Sequence, residues 1–311
     1  MGRLALRPGV YQGYLKSPTQ FSAEEIADKQ PDTTSGSDGN TERTPQLRDR
    51  VERAPDKLLA SVTDRGKAYP INQDDVRVRK TAVDAARVTI MVVCDGVSSG
   101  QHADLASAAG AQAANDFLLS HLSLGGDPRD GMRQAILAAD EAIRKIDYVK
   151  KDRGLNPPGS TIVAAVAIRK RLIVGWVGDS RCYVIDKDGA QQLTHDHSWV
   201  NEVVDSGVMT IEQALGAREA HQISRCLGPL YGNRTTDIPD PAVVVFPLPD
   251  SGIVLLCTDG LWNYIPSFAH MAALVKIGAG APDAITQARS LVDFALKRGG
   301  KDNISVALMV R

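Results

Sequence analysis

The chain has 311 residues, 43% of them hydrophobic, which is enough to bury one large core or two small ones. Its 36 basic and 37 acidic residues give a formal net charge of -1, so charge offers no reason to expect nucleic acid or an anionic membrane as a partner. A globular protein that recognises its partners locally is expected.

Cysteine usage and hydropathy favour an intracellular protein. The four cysteines show no Cys-x-x-Cys spacing, and three lie in or beside apolar runs, where free thiols act as small hydrophobes. No stretch approaches the roughly 18 consecutive apolar residues of a membrane span, and the N-terminus lacks the apolar region of a signal peptide. We therefore expect free thiols in a reducing compartment and a cytoplasmic location.

Residues 1–57 are predicted to form a disordered N-terminal extension. The run 29–45 is polar and has almost no large apolar residue, so it cannot offset the entropy lost on ordering. The sequence leaves open whether the extension is an over-long start or a docking or regulatory tail. Residues 58–311 have the pattern of a single compact domain.

Nine short runs rich in β-branched residues predict strands in this domain. They cover residues 59–62, 76–78, 88–94, 161–168, 172–177, 182–185, 242–246, 253–257 and 304–310. Short turns such as 185–189 join many of them, which favours antiparallel pairing.

Helical patterns come in pairs between the groups of strands. The first pair covers 104–121 and 128–149, and the second covers 268–277 and 282–297. Pro282 is expected to open the last helix and Gly299 to close it. This alternation predicts an α+β fold in which helices cover the faces of antiparallel sheets.

Carboxylates stand at the ends of the apolar runs. Three runs end in an aspartate and a fourth aspartate precedes the last run: Asp95, Asp179, Asp259 and Asp302. An Asp-Gly pair alone is more often a plain turn, and Asp188 illustrates that interpretation. If the strand ends meet, however, the clustered carboxylates require a cation, and all-oxygen ligands suit Mg²⁺ or Mn²⁺ rather than Zn²⁺. Two such ions can activate water and clamp a phosphoryl group for in-line attack.

Eight motifs follow one another in a characteristic order along residues 58–311. They are Thr-Asp-Arg-Gly to Asn-Gln-Asp over 63–74, Asp95-Gly96, Gly159-Ser-Thr161, Gly178-Asp-Ser-Arg181, Leu-Thr-His-Asp-His-Ser over 193–198, Ser-Arg-Cys-Leu-Gly over 224–228, Thr-Asp-Gly-Leu-Trp over 258–262, and Asp302-Asn303. In this order they resemble the metal-dependent protein phosphatases of the PP2C (PPM) family, in particular a bacterial subset.

The resemblance implies both a fold and an activity. The fold is a four-layer αββα sandwich, two central antiparallel sheets flanked by helix pairs, with a binuclear Mn²⁺ or Mg²⁺ site at one end. The activity is hydrolysis of phosphoserine and phosphothreonine in proteins by metal-activated water, in signalling opposite a Ser/Thr kinase. The implied partner is a phosphorylated protein substrate, and a monomer is expected.

The resemblance also assigns the core of the metal site. Asp95 would bridge the two metals, and Gly96 would offer a backbone carbonyl to the first of them. Asp259 and Asp302 would bind the second metal. The expected catalytic residues are Asp95, Asp259 and Asp74, the last acting through water.

Two further parts of the site follow from the same motifs. Asp179 matches the residue that holds a third metal in bacterial members. Residues 196–227 match the flap beside the active site, the most variable part of the family and a candidate determinant of substrate choice.

The first motif departs from the family pattern. Tyr69 stands where the family usually has an arginine that contacts the substrate phosphate, and Gln73 stands where it often has glutamate. A guanidinium grips phosphate through a planar, bidentate contact that tyrosine cannot reproduce. Arg65 and Lys67 are candidate phosphate-binding residues, and the alternative is that both are solvated loop cations. His102 does not align with the general acid of some eukaryotic members and is expected at a helix terminus.

Two other functions fit part of the sequence. Residues 96–100 satisfy Gly-x-Ser-x-Gly, the nucleophile elbow of α/β-hydrolases, with Ser98 as the nucleophile. That fold needs alternating βα units and an oxyanion loop, which the pattern does not show. A non-catalytic, phosphoprotein-binding member of the same fold is the second alternative. Retention of all four strand-end aspartates argues against it.

Overall fold

The computed structural model describes residues 50–149, 156–229 and 240–311. In chain order its strands are β1 (Arg50–Asp56), β2 (Leu59–Asp64), β3 (Asp74–Val83), β4 (Ala86–Asp95), β5 (Ile162–Ile168), β6 (Arg171–Val177), β7 (Arg181–Asp186), β8 (Gly189–Gln192), β9 (Ala242–Pro247), β10 (Ile253–Cys257) and β11 (Ile304–Val310). Its helices are α1 (Ala103–Ser123), α2 (Pro128–Arg144), α3 (Trp199–Asp205), α4 (Ile211–Leu215), α5 (Asp259–Trp262), α6 (Phe268–Ala273) and α7 (Ala284–Lys297).

The strands form two sheets in which every pairing is antiparallel. One sheet has the order β1-β2-β11-β10-β7-β8, and the other has the order β3-β4-β5-β6-β9. The predicted α+β class and the antiparallel pairing are confirmed. The strands of the described residues do not form the sheet of an α/β-hydrolase, so the interpretation of Ser98 as a nucleophile elbow is wrong.

Three layers of apolar contact hold the sandwich together. One core lies between α1, α2 and the five-stranded sheet, a second lies between α7 and the six-stranded sheet, and a third lies between the sheets. In β10, Ile253, Leu255 and Cys257 pack toward the helices, whereas Val254 and Leu256 pack between the sheets. Because successive side chains of a strand point to opposite faces, a run without polar residues is what a strand covered on both faces requires.

The boundary of the predicted extension is corrected. Residues 50–56 form the edge strand β1, which pairs with β2. Arg50 donates to Asp64 and Asp293, each at 2.8 Å, so ion pairs as well as backbone hydrogen bonds hold this strand. A polar edge strand carries no continuous apolar run, which is why hydropathy missed it. Residues 1–49 of the predicted extension lie outside the described residues.

Helix ends differ from the prediction for local reasons. The helix predicted over 128–149 ends at Arg144, and the one predicted over 268–277 ends at Ala273. The last helix begins at Ala284 rather than at Pro282, because the Asp283 side chain caps it by accepting from the Thr286 amide at 3.0 Å. Strand β8 and helices α3, α4 and α5 were not predicted.

Two simpler expectations can also be compared with the structure. All four cysteines are free, and three of them are buried. Across the described ranges, no helix has the length and apolar character needed to cross a membrane.

Candidate active site

The ends of strands from both sheets open onto one cavity of about 650 Å³. Its walls include four aspartates from distant parts of the chain: Asp95, Asp179, Asp259 and Asp302. Gly96 lies beside them. The structure thus brings together the four strand-end carboxylates that the sequence singled out.

Asp74 is buried next to this cavity, opposite Asp95 in the β3–β4 ladder. Its Oδ2 accepts from the Thr258 hydroxyl at 3.1 Å, while its Oδ1 is buried and has no hydrogen-bond partner. Burial, together with the charges of Asp302 and Asp259, raises the pKa of Asp74 to about 8. A buried carboxylate oxygen without a partner is costly, and a water molecule or a cation would satisfy it.

The other carboxylates of the site also resist ionisation. Burial, and then the charges of Asp74 and Asp259, hold the pKa of Asp95 well above its usual range. Burial and the charge of Asp259 do the same for the pKa of Asp179, and they raise the pKa of Asp302 to about 6. Because these shifts arise from desolvation and from like charges, divalent cations in the cavity would relieve them.

The carboxylates are not arranged as a closed cage. Among the described residues, no three His, Cys, Asp or Glu side chains converge as the ligands of one ion. Mg²⁺-like ions keep several water ligands and need only one or two protein carboxylates each, so a shared cavity with room for water still fits them. The donor set therefore fits hydrated Mg²⁺ or Mn²⁺ and does not fit a tight protein cage.

The glycines of two Asp-Gly pairs are required by space. A Cβ at Gly96 would lie 2.2 Å from the carbonyl oxygen of Ala103, and a Cβ at Gly260 would lie 1.9 Å from that of Asn303. Gly189, in contrast, has φ of 129° in the β7–β8 turn and meets nothing within 4 Å, which confirms Asp188 as part of a plain turn. In the Asp-Gly pairs of the site, glycine is needed because the backbone of another segment lies too close for a Cβ. In the β7–β8 turn, glycine is needed for its positive φ.

Asn303 organises the loop that precedes β3. Its buried side chain accepts from the Gln73 amide at 2.7 Å and donates to the carbonyl of Arg65 at 2.6 Å. The loop is thereby fixed to the start of β11, next to Asp302. The sequence indicated this residue only as part of a motif and assigned it no role.

A buried ion pair supports the segment around Asp179. Arg181 contacts the Asp196 carboxylate at 2.6 and 2.9 Å, and both side chains are more than nine-tenths buried. The guanidinium carbon of Arg181 lies 3.6 Å from the centre of the Trp262 ring, and the Trp262 indole donates to the carbonyl of Asp179 at 3.1 Å. Sequence reasoning did not assign Arg181 or Trp262 this role.

The two candidate phosphate-binding cations lie elsewhere. Neither Arg65 nor Lys67 lines the cavity. The guanidinium of Arg65 donates to the carbonyl of Tyr69, and the ammonium of Lys67 donates to the carbonyl of Leu296 at 2.8 Å, near the end of α7. Both side chains donate to backbone carbonyls of residues that do not line the cavity, so the geometry does not support the expectation that they bind phosphate.

Ser98 and His102 lie on the segment between β4 and α1. Ser98 lines the cavity, and its hydroxyl donates to the side-chain carbonyl of Gln73 at 2.8 Å. His102 is the N-cap of α1 and has left-handed backbone angles, which confirms the expected helix-terminus position.

The segment 196–227 carries α3 and α4, and its two ends pair with each other. The Trp199 amide donates to the carbonyl of Gln222, and the Ser224 amide donates to that of His197, both at 2.9 Å. Residues 221–226 form one wall of the cavity. The expected flap therefore borders the carboxylate cavity.

Comparison with known proteins decides the family. The family model described as Protein phosphatase 2C matches residues 83–304. The chain belongs to the PP2C family. This PP2C protein is 30% identical over 255 residues to the serine/threonine phosphatase stp of Listeria innocua, an alignment that covers 80% of this chain and 94% of the relative. It is 29% identical over 252 residues to the protein phosphatase PhpP of Streptococcus pneumoniae, covering 81% and 96% of the two chains.

Solved structures agree with the sequence comparison. The serine/threonine phosphatase of S. agalactiae has a TM-score of 0.63 at 25% identity, covering 84% of this chain and 100% of its own. The catalytic domain of the phosphatase PstP, solved in complex with two manganese ions, has a TM-score of 0.60 at 28% identity, covering 84% and 98%. The PP2C fold is therefore confirmed, and this PP2C protein is a protein serine/threonine phosphatase.

Proposed function

We propose that this phosphatase hydrolyses phosphoserine and phosphothreonine in proteins with two Mn²⁺ or Mg²⁺ ions, and that it opposes a Ser/Thr kinase in signalling. The observation that carries the metal requirement is the unpaired, buried Oδ1 of Asp74 beside a cavity walled by four other carboxylates. Support comes from the PstP relative, whose structure contains two manganese ions.

The residues that would hold the ions are those at the strand ends. Asp95, at the end of β4, would contact both ions, with the Gly96 carbonyl on the first. Asp259 and Asp302 would hold the second ion, and Asp179 would hold a third. When bound, the ions would lower the pKa of a water molecule and neutralise charge on the phosphoryl oxygens.

The chain's own groups prepare the site for water. The Thr258 hydroxyl occupies Oδ2 of Asp74, which leaves Oδ1 available to accept from a water molecule. The backbone carbonyl of Asp95 accepts from the Ser160 hydroxyl at 2.9 Å and from the Thr161 amide at 2.8 Å, which fixes the end of β4. Asp74 therefore orients water and Asp95 is held in a constant position.

We further propose a cytoplasmic, monomeric enzyme whose partner is a phosphorylated protein. The near-neutral charge balance supports a partner recognised at the cavity and not through a broad electrostatic surface.

The test is hydrolysis of a phosphoserine or phosphothreonine peptide by the purified protein. Activity should require added Mn²⁺ or Mg²⁺, be abolished by EDTA, and be lost in Asp95→Asn and Asp259→Asn. Asp188→Asn, in the exposed β7–β8 turn, is the matched control and should retain activity. Full activity in the first two variants would show that the metal assignment is wrong.

A further inference from the structure

A phosphatase cavity must attract a dianion although its walls are acidic. A phosphate monoester carries a charge of about −2 near neutral pH, and its oxygens are best bound by charge-assisted hydrogen bonds. Four of the residues around this cavity are aspartates. Among the described residues that line it, Arg225 is the one lysine or arginine.

The backbone on either side of Arg225 is fixed. On one side, the Ser224 amide donates to the carbonyl of His197 at 2.9 Å. On the other, Leu227 and Ser160 exchange two backbone hydrogen bonds of 2.8 and 3.2 Å. The next amide, that of Gly228, donates to the buried Asp140 carboxylate at 2.7 Å. Arg225 is therefore presented from a well-anchored stretch, although it belongs to the flap.

This anchor leads directly to the carboxylate cluster. The hydroxyl of Ser160 donates to the carbonyl of Asp95 at 2.9 Å, so two hydrogen-bonded steps connect Leu227 with Asp95. These hydrogen bonds hold the backbone beside Arg225 in a fixed position relative to the end of β4. Arg225 and Asp95 line the same cavity.

The guanidinium of Arg225 is available. It is exposed, and no described residue forms a hydrogen bond or ion pair with it. The charge of Arg225 contributes to lowering the pKa of Asp240, but that carboxylate is already paired with Arg133 at 2.7 Å. Within residues 50–149, 156–229 and 240–311, no structural partner therefore accounts for this arginine at the wall of a cavity that must bind a dianion.

We propose that Arg225 binds the phosphoryl oxygens of the substrate, and of the inorganic phosphate product, through its guanidinium group. The assignment rests on the proposed function and deepens it, because it supplies the phosphate contact that Arg65, Lys67 and Tyr69 do not make. A planar guanidinium can contact two phosphoryl oxygens at once, whereas an ammonium offers a single point charge.

The experiment compares Arg225→Ala and Arg225→Lys with wild type in the presence of Mn²⁺. The KM for a phosphopeptide and the inhibition constant of inorganic phosphate should both rise about tenfold or more in Arg225→Ala, the size expected for losing a hydrogen bond to a charged group. Arg225→Lys should lie between wild type and Arg225→Ala. Arg218→Ala removes another exposed flap arginine that does not line the cavity, and it should change neither constant.

A binding measurement separates this inference from the proposed function. Calorimetric titration of the Mn²⁺-loaded protein with inorganic phosphate needs no turnover, and Arg225→Ala should weaken binding by the same factor. If wild type binds phosphate but does not hydrolyse the peptide, the proposed function fails, while weaker binding by Arg225→Ala still supports the assignment. An unchanged KM and an unchanged phosphate affinity in Arg225→Ala overturn it, as does a wild-type protein that binds no phosphate.

Discussion

Asp74 and Asp95 lie directly opposite each other in the antiparallel β3–β4 ladder. Residues in this relationship have Cβ atoms about 4.5–5.5 Å apart, and like charges placed there destabilise a sheet. The pKa of Asp74 is raised to about 8 and that of Asp95 lies well above its usual range, first because both are buried and then because neighbouring carboxylates repel them. The two buried carboxylates therefore destabilise the sheet locally, at the place where cations are expected to bind.

The metal-free protein should lose stability as the pH rises. Asp74 has a folded-state pKa of about 8, against about 3.9 in an unfolded chain, so the folded state binds more protons between these values. The free energy of unfolding then falls with increasing pH across that window. We expect the melting temperature in EDTA to drop from pH 5 to pH 8, and saturating Mn²⁺ to remove most of the drop. A flat or rising melting temperature in EDTA would contradict the shifted carboxylates.

Asp74→Asn should stabilise the metal-free protein at pH 8. The amide carries no charge to desolvate or to repel Asp95, so we expect a gain of roughly 1–3 kcal/mol in the free energy of unfolding. Metal-dependent activity should fall, because an amide holds water and ions less well than a carboxylate. Urea denaturation in EDTA measures the first effect. Asp84→Asn, at the tip of the β3–β4 hairpin, is the control expected to change neither property.

Gly260→Ala should destabilise the protein and disturb the site. Its Cβ would lie 1.9 Å from the carbonyl oxygen of Asn303, so the start of α5 would have to move away from the start of β11. The expected cost is about 1–3 kcal/mol, together with weaker Mn²⁺ binding, because Asp259 and Asp302 flank this contact. Gly216→Ala is the matched control, since its nearest atoms are 3.5 Å away. Thermal melts and Mn²⁺ titrations that do not distinguish the two variants would refute the packing argument.

Arg181→Lys should destabilise the folded protein although it preserves the positive charge. A lysine ammonium cannot reproduce the two contacts to Asp196 and the stacking on Trp262, and the buried carboxylate is left incompletely paired. We expect a loss of about 2–4 kcal/mol in the free energy of unfolding. Arg133→Lys, in the exposed pair with Asp240, should cost at most about 0.5 kcal/mol in the same denaturation experiment.

The local sequence pattern determined most of the strands and pointed to the cation site. Runs of β-branched and apolar residues predicted nine of the strands, and the aspartates at their ends pointed to one cation site. These features could be predicted because strands covered on both faces need uninterrupted apolar runs, and a polar residue that ends such a run must lie at the edge of the core. The order of the motifs along the chain was sufficient to suggest the family.

Only the tertiary structure decided which distant segments of the chain meet. The polar strand β1 depends on pairing with β2 and on ion pairs to α7, and Gly260 is needed because Asn303, far along the chain, approaches it. Arg65 and Arg225 are both loop arginines in the sequence, yet the first donates to the Tyr69 carbonyl and the second lines the carboxylate cavity. Periodicity reports which face of a segment is buried, whereas the distance between segments follows only from packing the whole chain.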